Sequence, residues 1–236
     1  MRNLGHYIQY FHDSGITQFL GEVEMKQQIP SVKEVIHDVA LIDAIDKVQT
    51  LVDLEKLVRE FRGCALKKTA NKTVFADGNP KASVMFIGEA PGANEDVQGI
   101  PFCGQSGKLL DNIIKSMGFV RSDVYITNTV FWRPPANRRP TPEEIELCRP
   151  FVQKHIALVE PKIIVLVGST AVEALLNSTQ SMHSLRSENY SYHNPYLKSV
   201  IPTTVIFHPS YLLRQPQKKK LMWEDVCKIK HLLSYN

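Results

Sequence analysis

Two short apolar runs stand out along the chain, at 84–87 and 162–167, and two further strand-like stretches lie at 123–127 and 202–206. The run at 84–87 is short enough to be a buried parallel strand, and that at 162–167 is so apolar that both its faces are expected to be covered. Between them the period changes to that of a helix. Leu51, Leu54, Leu57, Val58 and Phe61 share one side of a helix over 49–61. Further helices are expected from near Gln105, from Thr141 to about Val159, from Ser169 through Leu176, and over 218–233. Thr141 can cap its helix, with Pro142 in the first turn and Glu144 at the capping-box position. This strand–helix rhythm predicts an α/β fold: a three-layer sandwich whose central, mostly parallel four-stranded sheet is flanked by helices. A helix is also expected over 3–20, before a mixed, acidic stretch over 21–48. The expected division is an N-terminal helical extension, 1–48, and an α/β domain, 49–236. Residues 62–80 and 177–200 show no clear period and read as irregular.

Candidate chemistry gathers where the first strand stops. Gly88 ends the apolar run, Pro91-Gly92 breaks the backbone, and Glu89, Glu95 and Asp96 line the turn before Pro101, Phe102, Gly104 and Gly107. Polar groups are thereby placed beyond the carboxyl end of a strand, where open α/β sheets bind ligands. The stretch is not a phosphate loop. It has neither GxxxxGK[ST] nor GxGxxG, Pro91 removes a backbone donor, and the acids repel phosphate. A neutral polar ligand, or a water to be activated, fits better. Asn128 ends the second strand and His208 follows the fourth, so a doubly wound sheet brings them towards the same crevice. An Asn amide both donates to and accepts from a planar edge. Phe102 offers a flat face, and His208 a donor for charge on a leaving group.

Composition narrows the setting. A chain of 236 residues, 43% hydrophobic and 22% charged, can bury one good core with room for a small extension. No apolar run reaches the length of a membrane span, and the N-terminus lacks a signal-peptide core, so the expected location is cytoplasmic. The net charge of +4 is unevenly spread. Residues 1–60 carry 6 Lys/Arg against 10 Asp/Glu, a net −4, and residues 61–236 carry 22 against 14, a net +8. The larger part thus permits a polyanionic partner. Cys64, Cys103, Cys148 and Cys227 form no CxxC pair and read as reduced thiols. There is no GxSxG nucleophile elbow.

In GEAPGANED (88–96), GIPFCGQSG (99–107), VYITN (124–128), RPP (133–135) and HPSYLL (208–213), the chain resembles the thermostable, iron–sulfur-bearing uracil-DNA glycosylases called family 4. TPEEIELCRP (141–150) and KIIVLVG (162–168) agree in character and order, and the resemblance covers roughly residues 50–233. It implies hydrolysis of the N-glycosidic bond between uracil and deoxyribose in DNA, single- or double-stranded, by a monomer. It also implies roles. Phe102 stacks on the flipped uracil, Asn128 reads its amide edge, and His208 donates to O2 as negative charge develops. Glu89 and Glu95 are joint candidates for the catalytic acid, and Ala90 stands where sister families place an Asp. Leu212 or Leu213 fills the space vacated by the base. Arg138, Arg139, Ser210, Lys218 and Lys219 meet the DNA. A catalytically silent DNA- or RNA-binding relative, and a glycosylase for other deaminated bases, remain as alternatives.

One departure stands out. The resembled family holds a cluster with four cysteines: a CxxC pair before the core, one directly before RPP, and one in the following helix. Cys64 and Cys148 match two of these positions, but Phe61 and Trp132 occupy the others. The expectation is therefore no iron–sulfur cluster and no other metal, with the two rings filling the space.

Overall fold

The computed structural model describes residues 32–234. Six strands, β1 (Ala76–Gly78), β2 (Val84–Gly88), β3 (Tyr125–Asn128), β4 (Ile163–Val167), β5 (Tyr190–Tyr192) and β6 (Ile201–Ile206), form one sheet in the order β1-β3-β2-β4-β6-β5. β2, β3, β4 and β6 pair in parallel, while β1 and β5 close the two edges antiparallel. The expected four-stranded, mostly parallel sheet is thus corrected to a six-stranded sheet of mixed pairing. The four anticipated strands are its parallel centre. The two edges escaped because each is three residues long, one Ala-Asp-Gly and the other Tyr-Ser-Tyr, and neither has an apolar run to signal it.

The helices among the described residues are α1 (Val32–Lys47), α2 (Leu51–Glu60), α3 (Ala93–Gln98), α4 (Gln105–Ser116), α5 (Pro142–Val159), α6 (Ser169–Leu176), α7 (Met182–Ser187), α8 (Pro209–Arg214) and α9 (Lys219–Ser234). None is long and apolar enough to cross a membrane. Residues Ala40–Asn236 make one compact unit. The helix expected over 3–20 lies outside the described residues, as does much of the 1–48 stretch. The Thr141 cap forms as expected: its side chain accepts from Glu144 N–H at 3.3 Å, and Glu144 accepts in return from Thr141 N–H at 2.8 Å.

Strand alternation sends side chains to two separate cores. Met85, Ile87, Ile164, Leu166 and Val205 meet Leu54 and Val58 of α2 and Phe151, Val152 and Ile156 of α5. Val84, Phe86, Ile126, Val165 and Ile206 meet Leu110 and Ile114 of α4, Leu212 of α8, and Val226 and Ile229 of α9. Covering both faces explains why β2 and β4, at the centre of the sheet, are apolar up to the closing Gly88 of β2. It leaves their carboxyl ends as the place where the sheet can present polar groups. Beside the end of β6, the buried Arg186 of α7 donates to Asp225 at 2.7 Å and to the Leu221 carbonyl at 2.6 Å, and lies 4.4 Å over the Phe207 ring. This joins α7 and α9 next to His208.

Candidate active site

A cleft of about 1090 Å³ opens over the carboxyl ends of β2, β3, β4 and β6. Its floor is the parallel register Gly88↔Asn128. A Cβ on Gly88 would lie 2.5 Å from Asn128 Oδ1 and 2.5 Å from Phe102 Cζ, so amide and ring close over bare backbone. Asn128 is 2% exposed, and its buried Oδ1 has no hydrogen-bond partner. An orphaned buried acceptor costs about 1–3 kcal/mol. A donor on a bound molecule would remove that cost.

Phe102 lies 5.7 Å from the His208 ring, centroid to centroid, and has a left-handed φ of 50°. A bulky residue holds that conformation only where its surroundings impose it. Two braces do so here. Glu95 Oε1 accepts from Cys103 N–H and Gly104 N–H at 3.0 Å each, while its Oε2 accepts from Gly92 N–H at 3.1 Å. Arg121 donates to the carbonyls of Pro101 at 2.6 Å and Phe102 at 3.2 Å, and is itself held by Asp77 and Asp111. Behind the loop, a Cβ on Gly107 would sit 1.7 Å from the Phe102 carbonyl oxygen, so only glycine lets α4 start there. The acid-lined turn is in fact a helix, α3. Gly92 is its N-cap, Glu95 is at N3, and Asp96 faces inward to accept from Asn71 and Lys72.

His208 caps α8. Its Nδ1 accepts from Ser210 N–H at 3.2 Å and lies 2.8 Å from the Ser210 hydroxyl. With Nδ1 an acceptor, the neutral ring carries its proton on Nε2. Burial, reinforced by the nearby Arg214 charge and opposed by Glu95, lowers the His208 pKa to about 4. The imidazole is therefore a neutral donor throughout the physiological range. Glu89 also lines the cleft. Its carboxylate accepts from the Thr170 hydroxyl at 2.6 Å, and its carbonyl from the Thr129 hydroxyl at 2.6 Å.

The structure therefore brings Glu89, Ala90, Glu95, Phe102, Asn128 and His208 to one cleft. The residues expected at DNA divide. Arg138, Ser210, Leu213 and Lys218 line the same opening, whereas Leu212 is fully buried in the core and Leu213 is 39% exposed. Ser210 also holds His208, Arg138 pairs with Glu144, Arg139 pairs with Glu173 at 2.5 Å, and Lys219 opens α9 on the surface. Arg121, Thr170, Met182 and His183 were not anticipated. The first two act through residues distant in sequence, and the last two sit on a helix inside a stretch without period.

A family profile described as the uracil DNA glycosylase superfamily matches residues 75–227. The type-4 uracil-DNA glycosylase of Archaeoglobus fulgidus is 36% identical over 187 residues, 78% of this chain and 94% of that protein. The chain belongs to the uracil-DNA glycosylase superfamily. Its likeness to the type-4 members repeats with the Saccharolobus solfataricus enzyme, 39% identical over 183 residues, 75% of this chain and 83% of that one. The Thermus thermophilus type-5 uracil-DNA glycosylase is 33% identical over 114 residues, 42% of this chain and 52% of that one.

The cluster implied by the type-4 resemblance does not fit the residues of this glycosylase. A [4Fe–4S] cube takes four thiolates. Cys64 and Cys148 are both buried, but Trp132 is fully buried in the third position and donates to Thr73 Oγ1 at 3.0 Å. Phe61 takes the remaining one, its ring centre 6.3 Å from Trp132 and 5.1 Å from Phe151. Among the described residues no group of three or more His, Cys, Asp or Glu could hold a metal ion. The hydrogen bond between the thiols lowers the Cys64 pKa to about 7, and that bond together with burial pushes Cys148 up. Purified protein is expected to be colourless and free of stoichiometric iron. Metal analysis finding about four irons per chain, the content of one such cube, would overturn this.

Proposed function

We propose that this protein hydrolyses the N-glycosidic bond of deoxyuridine in DNA, single- or double-stranded, releasing uracil and leaving an abasic site. It acts as a cytoplasmic monomer, with residues 49–236 carrying the reaction. The observation that carries this reading is the buried, unpaired Asn128 Oδ1, which together with the Phe102 ring closes over Gly88 at the floor of the cleft. Uracil offers a planar ring with an N–H flanked by two carbonyls. The N–H would satisfy Oδ1, the side-chain amide would meet O4, and Phe102 would face the ring.

The chemistry follows from charge. As the bond to C1′ breaks, electrons pass to the uracil ring and the sugar gains positive character. His208 Nε2–H donates to O2 and stabilises the anion without giving up its proton. Glu89 supports the cationic sugar and orients water. The water attacks C1′ and passes its proton to the carboxylate, and uracil leaves as the anion. The two candidate acids thereby separate. Glu95 has its oxygens committed to three backbone N–H groups, so it shapes the pocket loop and holds its wall against the C5 side of the base. Leu213, the exposed leucine of the pair, occupies the gap left by the flipped base. Arg138, Arg139, Ser210, Lys218 and Lys219 lie along the strand.

A duplex and a single strand, each bearing one uracil, are incubated with the protein and then cleaved at abasic sites with alkali. Cleavage at uracil, with none at thymine or cytosine, is the expected result. Cleavage at hypoxanthine instead would assign another deaminated base, and tight binding without release would mark a silent relative. DNA affinity is expected to fall steeply with salt, with a log–log slope of about −0.9 per phosphate contact on duplex DNA. Replacing Lys218, Lys219 and Lys220 together with alanine should flatten that slope and leave base preference alone. A changed preference at constant slope would refute their placement.

A further inference from the structure

We propose that Thr170 is a positioning residue for the reaction, acting through Glu89; this rests on the role given to Glu89 above. Three donors fix Glu89. Its carbonyl accepts from Val130 N–H at 3.1 Å and from the Thr129 hydroxyl at 2.6 Å, which sets the backbone. What remains free is the side chain, and there the Thr170 hydroxyl donates to Oε2 at 2.6 Å. A glutamate has three rotatable bonds, and holding it in one rotamer costs entropy that a single well-placed donor can offset.

Thr170 is well suited to do this. It is 1% exposed, so its hydroxyl does not exchange partners with solvent. It lies in the first turn of α6, an eight-residue helix that begins directly after β4. Gly168 and Ser169, the residues just before it, line the cleft. A carboxylate beside that first turn also faces the favourable end of the helix dipole. The bond joins residues 81 positions apart and ties the carboxyl end of β2 to the helix that follows β4. One carboxylate oxygen is thereby anchored to the scaffold while Glu89 remains at the cleft.

Four variants test this: Thr170→Val, which keeps the shape and removes the donor, Thr170→Ser, Glu89→Gln, and the double variant Thr170→Val/Glu89→Gln. Single-turnover uracil release and the dissociation constant for DNA carrying a non-cleavable deoxyuridine are measured for each, alongside thermal melting. Thr170→Val is expected to slow release by about 10- to 100-fold, the range for losing one hydrogen bond to an ionised group. DNA affinity should change by less than about twofold, because the bond is made inside the protein. Thr170→Ser should recover the rate to within about threefold, since it restores the donor. In the Glu89→Gln background the valine substitution should cost nothing further, because residues acting as a unit are not additive.

An equal loss from Thr170→Val in both backgrounds would show a general structural role and overturn the proposal, while leaving Glu89 in place. A wild-type rate in Thr170→Val would overturn it as well. A wild-type rate in Glu89→Gln would overturn the role of Glu89 and the proposal with it.

Discussion

Asn128→Asp is expected to lower single-turnover uracil release by about 10³-fold, from a change of one atom. Like charges about 4 Å apart at an effective dielectric of about 20 repel by roughly 4 kcal/mol, which corresponds to about 10³ in rate. The carboxylate would face the base as it becomes an anion, and it has no N–H to offer O4. The signature lies in the pH dependence. Burial disfavours the charged form of an Asp placed at a 2%-exposed position. As pH falls, the group becomes a neutral acid that can donate, so the deficit relative to the parent enzyme should narrow. Rates for both proteins between pH 8 and pH 5 check this. A deficit that stays constant, or no deficit at all, would remove Asn128 from the recognition of uracil.

His208→Ala is expected to slow release by about 10²–10³-fold, the loss seen when one donor to a developing oxyanion is removed. Affinity for uracil-containing DNA should change little, since the bond gains its strength as charge appears. The wild-type profile supplies a second check. His208 titrates near 4 because it is buried. The unfolded imidazole titrates near 6.5, so this depressed value favours the native state fully above that pH. That contribution is lost progressively as pH falls towards 4. The donor therefore stays neutral through pH 5, and activity should show no step near 6.5 from this residue. Burst-phase excision with Kd measurements for His208→Ala tests the first point. If the variant keeps its rate, His208 has no place in leaving-group stabilisation.

Much of this architecture was legible in the sequence for a physical reason. Strands covered on both faces tend to be apolar, so the central β2 and β4 announced themselves as unbroken apolar runs, while β3 and β6 showed as short stretches rich in β-branched and aromatic residues. Thr141, Pro142 and Glu144 marked the start of α5 because capping depends on spacing of three residues. The edges did not announce themselves. Asp77 and Gly78 sit in β1 through backbone pairing, which leaves no apolar period. The helix α3 was hidden in a turn whose acids suggested ligand chemistry, although Gly92 followed three residues later by Glu95 was a capping signal. The cleft residues were legible because Asn128 and His208 lie at or just past the ends of predicted strands, and Phe102 lies in the loop between the first predicted strand and the helix that begins near Gln105. Arg121 and Thr170 were not. Their partners lie up to 81 positions away, and no local pattern encodes a contact of that kind.

The ring pair at Phe61 and Trp132 changes what this glycosylase depends on. A joint made by a metal cube fails when iron is scarce or an oxidant or chelator reaches it, and it is largely indifferent to cooling. A joint of aromatic rings is indifferent to all three chemical insults, yet it draws on the hydrophobic effect, which weakens in the cold and in urea. Trp132 follows Asn128 by only four positions, so loosening that joint acts close to the Asn128 amide at the floor of the cleft. The joint built by Phe61 and Trp132 is thus sensitive to temperature and solvent, and its rings themselves ask for no iron.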